Sequence, residues 1–115
     1  MSAAKIVVLG AGMVGRAIAA DLCRDHAVTA VDRDGGRLAA LAARHPLAAQ
    51  TADLSDPDAI RRAIAPADLV IGAVPGFMGF TALRTVIEAG KNVVDISFFD
   101  EDPFMLDALA QERGV

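Results

Sequence analysis

The stretch Val7-Val8-Leu9-Gly10-Ala11-Gly12-Met13-Val14-Gly15-Arg16-Ala17 decides how this chain folds. Its first residues close an unbroken apolar run, Lys5–Leu9, which reads as a buried strand. From Met13 to Arg24, Val14, Ile18 and Leu22 recur every fourth residue, one face of a helix. Between them lies G-x-G-x-x-G. In a strand–turn–helix context each glycine has a physical task. Gly10 permits the tight turn out of the strand, and Gly12 lets backbone approach a pyrophosphate with no Cβ in the way. Gly15 lets the helix pack closely on the strand. The free amides of Met13 and Val14 then face the anion, aided by the helix dipole. A plain glycine-rich turn is the other reading of these three residues taken alone.

The residues downstream favour the dinucleotide reading. Ala27–Val31 is a second short apolar run, and Asp32 ends it, about twenty residues beyond the first glycine. A carboxylate there accepts hydrogen bonds from ribose hydroxyls. It also repels a ribose 2′-phosphate, which favours NAD over NADP. Arg33 works in the other direction, because a guanidinium can grip that phosphate. Two further segments are expected at the same crevice. Asp53-Leu54, after a weak third strand at Leu47–Thr51, supplies a polar and an apolar group to flank the adenine. Val74-Pro75, where a fourth strand at Asp68–Val74 ends, brings backbone beside the cofactor. The candidate cofactor-binding residues are therefore Gly10, Gly12, Met13, Val14, Gly15, Asp32, Arg33, Asp53, Leu54, Val74 and Pro75. No catalytic residue is assigned.

The remaining segments keep strand and helix in alternation. Arg37–His45 reads as a helix weakened at its start by Gly35 and Gly36. Ser55-Asp56-Pro57 announces another, with a side-chain oxygen at the cap and proline in the first turn. Phe80, Leu83 and Ile87 mark a helix ended by Gly90. Asn92–Ile96 is a fifth strand, and a last helix runs from Pro103 to Gly114 with Leu106 and Leu109 inward. Apolar strands joined by helical crossovers give a parallel sheet. The expected fold is α/β, a Rossmann-type doubly wound sheet of order 3-2-1-4-5, with ligands at the carboxyl ends of strands 1 and 4.

Bulk properties exclude several classes. The 115 residues suit one domain, 54% of them hydrophobic, with net charge −4 and no basic run for nucleic-acid phosphates. The single cysteine, Cys23, excludes an internal disulfide and fits a reducing, cytoplasmic setting. Neither histidine, His26 or His45, has partners at ligand spacing, so no metal site is expected. The uncharged run Leu69–Leu83 is interrupted by glycine and proline and is too short to cross a bilayer.

All five phenylalanines fall between Phe77 and Phe104. Phe80 belongs to a core, whereas Phe77, Met78, Phe98 and Phe99 fall in predicted loops, where apolar groups suggest a surface made for another body. Val115 reads as the start of a sixth strand, which makes strand 5 an open apolar edge. A domain excised from a longer chain is expected, one that self-associates through strand 5 or the Phe loops.

The segments VVLGAGMVGRAIA, TAVDRD, TADLSDPDAI and, most specifically, VIEAGKNVVDIS resemble the N-terminal cofactor domain of the saccharopine dehydrogenase and lysine dehydrogenase family. The resemblance covers essentially the whole chain. It implies a nicotinamide-dependent oxidoreductase acting at a C–N bond of an amino acid, with substrate contacts made by a second domain absent here. It also implies that Asp95 and Ser97 lie beside the nicotinamide end. The isolated chain is then expected to turn over no amino acid. The alternative is a non-catalytic NAD-sensing module like those of potassium-transport proteins, which share the glycine loop and the acid after strand 2.

Overall fold

A parallel strand pair needs a crossover long enough to return the chain to its starting edge, and this sequence supplies a helix each time. The structure, a computed structural model, describes residues 4–97, 101 and 103–115. The elements run β1 (Lys5–Leu9), α1 (Met13–Leu22), β2 (Ala27–Asp32), α2 (Gly35–Arg44), β3 (Ala48–Thr51), α3 (Pro57–Ile64), β4 (Leu69–Gly72), α4 (Gly76–Glu88) and β5 (Asn92–Asp95). A 3₁₀ turn, Pro103–Leu106, then leads into α5 (Asp107–Arg113). The sheet is parallel throughout, in the order β3-β2-β1-β4-β5. This is the Rossmann-type arrangement expected from the alternation.

Local chemistry sets the boundaries where they differ from expectation. The α1 helix stops at Leu22, and the Arg24 and Asp25 amides turn to Asp21 O and Leu22 O in tighter i→i−3 bonds. The α2 helix begins at Gly35 despite the glycine pair, because the Asp34 carboxylate accepts from the Gly36 and Arg37 amides. Asp56 caps α3 in the expected way, with Pro57 in its first turn. Phe77 and Met78 are not in a loop: α4 starts at Gly76, directly after Pro75, and takes them into its first turn. The β5 ladder ends at Asp95, where the side chain bends the backbone by accepting from Ser97 N at 2.6 Å. The Val115 amide bonds back to Ala110 O beyond Gly114, which has φ +72, and its side chain packs against the cluster of Leu83, Ile87 and Leu106.

The sheet is covered on both faces. On one, Val7, Leu9, Val31 and Val70 meet Ile60 and Ile64 of α3 and Val86 of α4. On the other, Ile6, Val8, Val28 and Ala30 meet Ala19 and Cys23 of the α1 end and Leu38 and Leu41 of α2. Each isoleucine or leucine so buried contributes roughly 1.5–3 kcal/mol. A smaller cluster of Leu83, Ile87 and Leu106, with Phe80 against it, fixes α5 to α4. Lys91 ties the sheet's far side to α3: its Nζ donates to Ala65 O and Ala67 O, both at 2.9 Å. The edges are less protected. All of β3 is exposed, and Val94 in β5 and Ile96 just after it are 53% and 40% exposed. No helix among the described residues is long and apolar enough to cross a membrane.

Candidate functional site

The carboxyl ends of β1 and β4 part where the strand order reverses, and a crevice of about 680 Å³ opens there. That volume lies within the range of small-molecule and cofactor sites. Its walls come from the loops after all five strands. Every residue nominated from sequence lines it: Gly10, Gly12, Met13, Val14, Gly15, Asp32, Arg33, Asp53, Leu54, Val74 and Pro75.

The three glycines of the loop meet different environments. Gly10 has φ +103, and a Cβ on it would stand well under 3.0 Å from Ala73 O. A Cβ on Gly15 would press equally hard on Gly10 O. Both positions are closed by backbone, so the loop is packed tightly against β4's end. Gly12 is the opposite case: a Cβ there meets nothing within 4 Å. Its missing side chain leaves open space at the crevice floor. Among the described residues no side chain caps α1, whose first turn also holds no acid. The amides at its start therefore face the crevice with the positive end of the helix dipole. A glycine-rich floor and uncapped amides along an open trough fit a dinucleotide diphosphate.

Asp32 is 9% exposed, and its carboxylate is turned into the backbone. One oxygen accepts from Ala11 N at 2.7 Å and the other from Asp34 N at 2.8 Å. The acid thus joins the glycine loop to the turn after β2, and it lines the crevice with acceptor capacity left on both oxygens. Arg33 and Arg37 line the same end. Arg37 is absent from the residues expected on sequence grounds. It lies in the first turn of α2 and pairs with Asp34 at 3.4 Å, and its closeness to that cap is the one signal that could have found it. Leu54 is buried among core residues, with a face on the crevice. Asp53 is held below the usual carboxylate range by the Ser55 hydroxyl, then by the Ser55 amide, with Arg33 adding a smaller attraction.

The far end is more apolar. Pro75, Gly76, Phe77 and Met78 come from the start of α4, and Ile96 and Ser97 from the end of β5. Phe77 is 87% exposed there. Phe98 and Phe99 lie outside the described residues. Ser97 Oγ is buried and makes no hydrogen bond among the described residues. Asp95 stands behind this wall, half-buried. A Cβ on Gly72 would come 2.5 Å from Asp95 Oδ2, so the carboxylate occupies a niche that a glycine leaves free. Burial raises the pKa of Asp95, and the bond from the Ser97 amide pulls it the other way.

Solved structures with this architecture include several oxidoreductases. Saccharopine dehydrogenase (L-Glu forming) from Saccharomyces cerevisiae superposes with a TM-score of 0.78 at 25% identity, over 90% of this chain and 24% of that one. A putative oxidoreductase from Pseudomonas putida KT2440 gives 0.69 at 21% identity, over 99% and 39%. Galactitol-1-phosphate dehydrogenase from Escherichia coli gives 0.64 at 11% identity, over 98% and 35%. The last two show the fold alone. The chain spans about a quarter of the length of the yeast enzyme. No curated protein matches it in sequence.

The model of the saccharopine dehydrogenase NADP binding domain matches residues 6–115. This corrects the expectation that NAD is preferred. That expectation placed a bare carboxylate against the 2′-phosphate. In the structure the Asp32 carboxylate accepts from two backbone amides, and the Arg33 and Arg37 guanidinium groups line the same crevice. Charge-assisted bonds to the acid and cations beside it lessen a like-charge penalty. With nearly its whole length matched, and with a glycine loop and crevice suited to a dinucleotide, the chain belongs to the family of saccharopine dehydrogenase NADP-binding domains.

Proposed function

We propose that this chain binds NADP(H) along the crevice as the cofactor-holding part of an oxidoreductase acting at a C–N bond of an amino acid. The observation that carries the proposal is the open space over Gly12, set between two glycines closed by backbone, in front of an uncapped helix. The Met13 and Val14 amides receive the diphosphate. Asp32 accepts from a ribose hydroxyl, and Arg33 and Arg37 face the 2′-phosphate. Leu54 packs on the adenine, and the Val74-Pro75 backbone passes beside the nicotinamide half. Bound there, the cofactor supplies hydride transfer, and this chain holds and orients it. Amino-acid contacts come from a further domain. The exposed Val94 in β5 and Ile96 just after it support self-association at that edge, which sedimentation at rising protein concentration checks.

The chain has no tryptophan, so reduced nicotinamide fluorescence can be followed directly. Titration is expected to give tighter binding for NADPH than for NADH. Arg33→Ala is expected to weaken NADPH by about tenfold, the loss of one charge-assisted contact, and to leave NADH nearly unchanged. Equal affinities for the two cofactors in the parent protein would overturn the proposal.

A further inference from the structure

The two ends of the crevice differ in how their charges are held. At the adenosine end the charged groups are at the surface, apart from Asp32, which two amides hold. At the other end, Asp95 is recessed. Its Oδ1 accepts from Ser97 N at 2.6 Å, and its Oδ2 lies in the niche left by Gly72. Ala73, which follows Gly72, and Ser97, two residues beyond Asp95, both line the crevice. The carboxylate therefore stands directly behind the wall at both strand ends. No lysine or arginine pairs with it among the described residues; the ion pairs there are Asp21–Arg24, Asp34–Arg37, Asp58–Arg61 and Glu88 with Arg61 and Arg84.

An uncompensated, half-buried charge acts over several ångströms, because the medium around it screens poorly. The reading proposed above places the nicotinamide at this end, since β2 and Arg33 take the adenosine half. The nicotinamide ring carries a positive charge when oxidised and none when reduced. Resting on that reading, we infer that Asp95 is a specificity-determining residue that favours the oxidised over the reduced cofactor through its charge, with Gly72 providing the room it needs. A simple Asx turn at the end of β5 would also explain the Ser97 bond. It would not make the two redox forms respond differently.

The test measures binding of NADP⁺, NADPH and 2′-phospho-ADP-ribose by calorimetry at pH 8, for the parent, Asp95→Asn and Asp95→Ser. Asparagine keeps the shape and the acceptor for the Ser97 amide, and serine keeps a smaller acceptor should asparagine disturb the niche. For both variants the ratio Kd(NADP⁺)/Kd(NADPH) is expected to rise by about two- to tenfold. The fragment, which lacks nicotinamide, is expected to bind unchanged. An unchanged ratio, or equal weakening of both cofactors, would overturn the inference and leave the NADP(H) reading standing. Failure of all three ligands to bind the parent would overturn both.

Discussion

Gly15→Ala is expected to lose most of the stability of the fold. The added Cβ would sit well under 3.0 Å from Gly10 O and 3.3 Å from the Ala73 Cβ. The nearer atom is backbone, in a residue already committed to φ +103, so no side-chain rotation relieves the contact. Either α1 moves off the sheet or the Gly10 turn opens, and both expose the core around Ala11, Ala19 and Val8. A cost of roughly 4 kcal/mol or more follows, which is a large part of the stability of an ordinary domain. Thermal unfolding followed by circular dichroism should show a midpoint lower by about 10 °C or more. A midpoint within a few degrees of the parent would mean that the loop is far more compliant than its packing indicates.

Gly12→Asp is expected to do the reverse: keep the fold and abolish binding. Gly12 has φ −70 and ψ −170, which any residue adopts, and open space where its Cβ would stand. The structure gives no reason for destabilisation, and aspartate is a good helix N-cap. The carboxylate would, however, stand where the diphosphate is proposed to lie and would compete for the same amides. Like-charge contact there costs several kcal/mol, so NADPH affinity should fall by about a hundredfold or more. The two substitutions, three residues apart, thus separate what this motif does for the fold from what it does for a ligand. Full retention of NADPH binding by Gly12→Asp would remove the diphosphate from this loop.

Much of this architecture can be read in the sequence, for identifiable reasons. Ile6–Leu9 is apolar without alternation, which only a strand covered on both faces tolerates, and it belongs to the central strand. Asp56-Pro57 marks a helix start that local chemistry alone dictates. The first turn of α4 is not legible in the same way, because Gly76 and Gly79 look like loop residues until Pro75 and the packing of Met78 and Ala82 fix the helix. The site divides along similar lines. Gly10, Gly12 and Gly15 announce themselves by spacing, and Asp32 by its distance from them. Arg37 depends on where α2 begins, and the niche at Gly72 depends on the register that sets it opposite Asp95. Such facts exist only once two distant strands have paired. The mistaken preference for NAD has the same origin: the sequence shows that Asp32 is an acid, and only the folded chain shows its carboxylate held by Ala11 N and Asp34 N.

The position of β1 at the middle of the sheet has a temporal consequence. Ile6 pairs with Val28 on one side and with Leu69 on the other. A ribosome making this chain releases the first partner early and the second only after some forty further residues have been added. Until then one edge of this central strand has no neighbour, and the crevice lacks its β4 wall. The nascent chain is exposed to mispairing during that interval, which ends when Leu69–Gly72 docks and the loop after β1 acquires Ala73 against Gly10.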